Sequence, residues 1–215
     1  MLQTEMKIIV IDREPGRWPQ AMEEALTSER IADPREIPAT LLTDSAVTRN
    51  GHPIFLPDFA IGWRVDICVY FSIGRLGKSI PAKSAHRYFD GWGLAARVVR
   101  NEADLRPANA LEANFDGAIC AGPKMEMEMP LPSLLRVETL EGNGPRQTQW
   151  ELSQTGLADL RQAAEQTVAL VSRYMTLRNG DLVIPGRTGL SMEAKIGAKV
   201  KLTADGREAL YLKIK

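Results

Sequence analysis

The chain has 215 residues, enough for one substantial hydrophobic core, and no low-complexity or Ser/Gly/Pro-rich tract divides it. Its 27 basic and 27 acidic residues cancel, which argues against a nucleic acid or an anionic membrane as partner. No apolar stretch approaches the roughly 20 residues of a membrane span, and Met1 to Ile11 lacks the pattern of a signal peptide, so a cytoplasmic protein is expected.

Residues 1–5 read as a short appendage and 6–215 as one domain. Met6 to Ile11 is a short β-branched run that predicts a buried strand, ended by the Asp12-Arg13-Glu14-Pro15-Gly16 cluster. Pro19 to Leu26 suits a short helix, and Ser28 to Pro38, charged and proline-containing, a surface loop. Extended structure is expected over Ala39 to Leu42 and Ala46 to Arg49. Asn50-Gly51, before Pro53-Ile54-Phe55, is a hairpin signal because both residues tolerate positive φ.

Val65 to Ile73 is the strongest strand signal. Side chains at i and i+2 share a face of a strand, so Asp66 and Cys68 point one way and Val65, Ile67 and Val69 the other. Two potential metal ligands therefore lie on one surface. Ile80 to Trp92 changes period: Ala85, Tyr88, Phe89 and Trp92 fall on one helical face, with Pro81 suited to a first turn. Leu94 to Arg100 reads either as a strand or as the end of that helix, and Asn101 to Asn109 as a polar loop. Leu134 to Leu140 and Gln147 to Ser153 flank Gly142-Asn143-Gly144 and predict a second hairpin.

The clearest helix spans Leu157 to Tyr174, with Leu157, Leu160, Ala164, Val168 and Val171 as its apolar stripe and Thr155 as a candidate cap. Beyond it, a strand over Leu182 to Ile184, a turn over Pro185 to Gly189, and strands over Ala198 to Leu202 and Ala209 to Ile214 predict a terminal meander. The composition is thus α+β and β-rich. Cys68 and Cys120 are too few for a disulfide framework, with a single bridge between them left open. His52 in the turn and His86 beside Arg87 read as surface or capping residues, and Trp18, Trp63 and Trp92 as core by default.

The order LLTDSAV, GHPIFLPDF, a D-x-C strand, RLGKSIPAKSAHRYFDGW, NFDGAICAGP, SRYMTLRNGDLVIPGRTG and IGAKVKL resembles the fumarylacetoacetate hydrolase family in its short single-domain form. The resemblance implies a mixed β-roll with a few helices, a homodimer or a dimer with a related protein, and a magnesium or manganese ion serving chemistry on 2-oxo acids or β-diketones. Active members hold the ion with an E-x-E pair and a later aspartate. Those positions fall on Asp66, Cys68 and Arg97.

A guanidinium at a ligand position repels a cation by several kcal/mol in a partly dry pocket, and thiolate suits magnesium poorly. A family lysine becomes Ala113, the T-G-T-P loop carries Pro185 and Arg187, and Trp18 and Ala21 stand where a His/Glu pair would activate water. Scaffold positions such as Phe59, Gly77, Gly122-Pro123, Gly180-Asp181 and Gly186 agree with the family.

The expectation is a divergent member without cofactor, with Asp66 and Cys68 as only weak metal candidates. Arg97 would pair with Asp66, and Arg97 and Arg187 could hold a small carboxylate. Such a protein would be a non-catalytic carboxylate binder or the partner of an active relative. The competing expectation is a hydrolase, decarboxylase or isomerase for a 2-oxo acid or acylpyruvate, with Arg97 replacing the cation or an atypical metal at Asp66 and Cys68. Salt bridges alone are the plain structural account of both arginines.

Overall fold

The computed structural model describes residues 6–13, 24, 37–101, 110–141 and 144–215. Two sheets carry the fold, and the first is built on β1 (Lys7–Ile11), a KIIVI run buried on both faces. It pairs antiparallel with β2 (Ala39–Thr43) and parallel with a later strand, β10 (Leu182–Ile184). The 3-10 turn Asp44–Ala46 leads from β2 into β3 (Val47–Arg49), and Pro53–Ile54 forms β4.

The two longest strands of this sheet are β5 (Trp63–Ile73) and β6 (Phe89–Arg100), antiparallel from Trp63 opposite Arg100 to Ile73 opposite Phe89. After the short helix Ala110–Ala113, β7 (Ile119–Ala121) continues the sheet beside β6. Its order is β2-β1-β10-β5-β6-β7-β3, and β11 (Arg187–Ala194) also pairs with β5.

The two ends of that order, β2 and β3, are joined by only the three residues of the 3-10 turn. The sheet must therefore curl until its edges approach, which makes a roll with an inside and an outside. Strand alternation then sorts the side chains. Ile8, Val10, Cys68, Tyr70, Ala95, Ile119, Leu182 and Ile184 fill the inside as one buried cluster. Ile9, Val65, Ile67, Val69, Phe71, Leu94, Ala96 and Val98 face outward into a second, larger core. Each buried Val, Leu, Ile or Phe among them contributes on the order of 1.5–3 kcal/mol.

That outer core is closed by the second sheet and by the long helix Gln154–Tyr174. The sheet has the order β4-β13-β12-β8-β9, with β8 (Leu134–Glu141), β9 (Gly144–Glu151), β12 (Lys199–Ala204) and β13 (Arg207–Ile214). The predicted helical stripe of Leu157, Leu160, Ala164, Val168 and Val171 lies in this core. The predicted β8–β9 hairpin also forms.

Several local expectations are corrected. Ile80 to Trp92 is not a helix: a 3-10 turn covers Ala82–Tyr88 and the strand begins at Phe89. Gly91 and Gly93 disfavour a helix, and ladder pairing with β5 across the whole strand outweighs the apolar spacing. Ala85, Phe89 and Trp92 still meet in one core, which is why the spacing looked helical.

Asn50-Gly51 makes a turn, but β3 and β4 do not pair. β3 joins β7 in the roll and β4 joins β13 in the second sheet, so the turn carries the chain between layers. Thr155 is not the cap of the long helix: Ser153 accepts the hydrogen bond from Gly156 N at 3.0 Å. The supposed turn over Pro185 to Gly189 opens directly into β11, which joins the roll and not a terminal meander. Of the predicted Pro19–Leu26 helix only Glu24 is described, and it is helical; the bulk of the Ser28–Pro38 and Asn101–Asn109 loops lies outside the described residues.

Candidate functional site

The inward face of β5 places Asp66 and Cys68 at one mouth of the roll, both only 1% exposed. β5 lies between β6 and β11, and the registers decide who stands beside them. Asp66 is opposite Arg97 on β6 and Ser191 on β11, and Cys68 is opposite Arg187 on β11. Asp12, just past β1, completes the group. Arg97 is 7% exposed, so the arginine that replaces a ligand position is a buried one.

The polar contacts differ from the expected pairing of Arg97 with Asp66. Arg64, two residues before Asp66 and on the same strand face, takes that carboxylate with a two-pronged fork. Its Nε donates to Oδ1 at 2.7 Å and its Nη2 to Oδ2 at 3.0 Å. Ser191 Oγ adds a bond to Oδ1 at 2.7 Å, and Arg187 Nη1 lies 3.8 Å from Oδ2. Arg97 instead faces Asp12, with Nη1 3.6 Å from Oδ2. Arg97, although directly opposite Asp66 in the ladder, leaves that carboxylate to Arg64, Ser191 and Arg187.

Arg187 is positioned by a second network. Arg13, 4% exposed, donates Nε to Pro185 O at 2.7 Å and Nη2 to Asp159 Oδ2 of the long helix at 2.7 Å. Its carbonyl accepts from Arg187 N at 3.3 Å. Gly186 lies between them at φ +152°, and a Cβ there would come within 2.9 Å of Arg13 Cγ, so the turn requires glycine. Thr188 Oγ1 donates to Ile67 O at 2.7 Å and ties the start of β11 to β5.

Of the predicted positions, Asp66, Cys68, Arg97, Pro185 and Arg187 come together, and Ala113 packs against the inner cluster without a polar group. Trp18 and Ala21 lie outside the described residues. His52 and His86 are exposed, and Trp63 and Trp92 belong to the outer core. Both cysteines are free, and they do not bridge because Cys68 faces the inside of the roll and Cys120 the outer core. Sequence reading missed Arg64, Ser191, Asp12 and Arg13. Only Arg64 carried a usable signal, since it sits at the i−2 position of Asp66.

These donors do not fit the divalent cation that the resemblance implies. Asp66 is engaged by Arg64 and Ser191, and two more guanidiniums border it. Burial pushes the Cys68 thiol up to about 12, against the pull of Arg97, and a thiol suits a hard divalent cation poorly. Among the described residues no three His, Cys, Asp or Glu side chains are arranged to hold a metal ion.

The buried acids give a pH prediction. Burial raises Cys68 to about 12, Cys120 to about 11 and Tyr70 to about 12. Below about pH 8 folded and unfolded chains hold these protons nearly equally, and little is lost. Above it the unfolded chain releases protons that the folded chain keeps, so stability falls with rising pH until the folded groups titrate. Urea unfolding between pH 9 and 11 should show a loss on the order of a few kcal/mol, smaller in Cys68→Ala measured against its own neutral-pH value. A flat profile in the parent chain would show these groups to be solvated.

A curled mixed sheet with a charged mouth, backed by a second sheet and one long helix, defines a β-rich α+β roll. The family model described as fumarylacetoacetate (FAA) hydrolase C-terminal matches residues 17–208, and the chain belongs to that family. The 4-hydroxyphenylacetate degradation bifunctional isomerase/decarboxylase of Salmonella dublin is 28% identical over 170 residues. That match covers 77% of this chain and 37% of the relative, so the chain spans little more than a third of that protein's length.

Among solved structures, 5-carboxymethyl-2-hydroxymuconate delta-isomerase from Mycobacterium smegmatis superposes with a TM-score of 0.68 at 19% identity, covering 97% of this chain and 76% of that one. Fumarylpyruvate hydrolase from Pseudomonas aeruginosa, in complex with Mn2+ and pyruvate, gives 0.64 at 18% identity over 98% and 89%. At these identities the likeness is one of fold.

Proposed function

We propose that this chain is a divergent member of the family that works without the divalent cation and binds a small carboxylate at Arg97 and Arg187. In the cell it would act as a non-catalytic binder or as the dimer partner of a second copy or an active relative. The observation that carries this reading is the guanidinium pair beside an Asp66 that is already engaged. A planar guanidinium offers a carboxylate two parallel donors, which a bound cation would otherwise attract by charge alone.

General acid/base chemistry supports the same reading. It needs a group that titrates near the working pH. Among the described residues the mouth holds Asp12 and Asp66, arginines, a serine and a thiol pushed up to about 12, and neither histidine lies there. Names of the relatives favour a second reading, an enzyme on a 2-oxo acid in which Arg97 holds the substrate in place of the ion.

Elemental analysis of the isolated protein should show no stoichiometric magnesium or manganese. Oxalate should raise the melting temperature of the parent chain and not of Arg97→Ala or Arg187→Ala. One equivalent of metal, or an oxalate response that survives both substitutions, sinks the first reading. Turnover of acylpyruvate or oxaloacetate that disappears in Arg97→Ala would install the second.

A further inference from the structure

A well-walled hollow lies away from the roll mouth, on the opposite, outward face of β6. It measures ≈ 260 Å³ and is walled by Trp92 and Leu94, by Met125, Met129 and Pro130 of the segment before β8, and by the β12–β13 turn at Ala204, Arg207 and Ala209. This is close to the lower end of the ~300–1,000 Å³ range of small-molecule pockets.

Its walls are fixed without a ligand. Trp92 N donates to Met125 O at 3.0 Å and Met125 N to Trp92 O at 2.7 Å, and the indole Nε1 donates to Met129 O at 3.0 Å. Pro123, Pro130 and Pro132 restrict the backbone between these points. On the other wall, Asp205 accepts from Leu134 N at 2.9 Å and Ser133 Oγ at 3.1 Å, anchoring the turn to the start of β8.

The chemistry of the rim is uneven. Of its three charged side chains, Asp205 is occupied by those bonds and Glu208 holds Lys201 at 2.9 Å. The Arg207 guanidinium is exposed and, among the described residues, has no ion pair or hydrogen bond. An indole, two polarizable thioethers and three proline rings therefore lead to one unpaired cation. Thioethers and indole accept an aliphatic chain or an aromatic ring with equal ease, and the cation selects the charge at its end.

We propose that this cavity is a second ligand site, for a small apolar monocarboxylate whose chain or ring lies against Trp92, Met125 and Met129 and whose carboxylate meets Arg207. The ligand differs from the compact, polar carboxylate suited to the roll mouth, and the site does not depend on Arg97 or on the reading given to it.

Isothermal titration of the full chain with hexanoate, and with hexan-1-ol as its uncharged match, tests this. Hexanoate should bind saturably at one site. Arg207→Ala should weaken hexanoate about tenfold, the effect of losing one partly exposed charge-assisted contact, and leave hexan-1-ol unchanged. Arg97→Ala should leave both unchanged.

No saturable hexanoate binding up to millimolar concentration overturns the proposal. So does equal hexanoate affinity in Arg207→Ala, and so does loss of binding in Arg97→Ala, which would assign the ligand to the roll mouth. A dimer that binds hexanoate only on dilution would mean that a second copy fills the hollow, and overturns it as well.

Discussion

Asp66→Ala is expected to lower the free energy of unfolding by about 3–5 kcal/mol, because it leaves buried guanidinium groups without the anion they surround. The carboxylate is 1% exposed and is met by Arg64, Ser191 and Arg187. Arg64 is 19% exposed at its side chain, so part of its own cost is relieved by water, and the effect should fall toward the lower end. In a chain of 215 residues that corresponds to a fall of about 10 °C in melting temperature.

Asp66→Asn keeps the volume and an acceptor for Ser191 but removes the charge, and should lie between the parent and Asp66→Ala. Arg64→Ala should cost less than Asp66→Ala, since Asp66 retains Ser191 and Arg187. Urea unfolding with an unchanged m-value is the measurement. A loss below about 1 kcal/mol for Asp66→Ala would place the cluster in the range of solvent-screened surface pairs and remove the basis for a dry anion site.

How much of this was legible in the sequence follows from which forces act locally. The inward pairing of Asp66 with Cys68 needed only the two-residue period of a strand, and Val65, Ile67 and Val69 do face the other core. The stripe of the long helix was equally readable, because the 3.6-residue period acts within one segment. Phe89 to Trp92 failed because a strand is decided by its neighbours, and the neighbour of β6 lies across a turn in β5.

Likewise the Asp66–Ser191 contact spans 125 positions in sequence and exists only through the β5–β11 register, which no local pattern carries. Arg97 shows both limits. Its place opposite Asp66 agrees with the resemblance, while its ion pair with Asp12 depends on how closely the end of β1 approaches β6 in the curled sheet.

The second large effect is expected at Gly93, and it tests whether the curl of the roll sets the geometry of its mouth. Gly93 stands opposite Tyr70 in the β5–β6 register, and a Cβ added there would lie 2.5 Å from Tyr70 Cε1, Cζ and Oη. The ring cannot simply swing aside. It is 4% exposed inside the roll, and its hydroxyl donates to Gly122 O at 3.0 Å.

Gly93→Ala should therefore cost about 3 kcal/mol, the upper end for overpacking a filled core. Tyr70→Phe loses one hydrogen bond, about 1 kcal/mol, and should not relieve the clash. Tyr70→Leu removes the ring, so in that background Gly93→Ala should become nearly neutral, giving a coupling of more than about 1 kcal/mol between the two positions.

Gly93 and Arg97 lie on the same inward face of β6, four residues apart, with Ala95 between them. A strand displaced at Gly93 carries Arg97 with it. The melting-temperature rise produced by oxalate should then shrink in Gly93→Ala and return in the double substitution with Tyr70→Leu. A full oxalate response in Gly93→Ala alongside its loss of stability would separate the packing of the roll from the shape of its mouth.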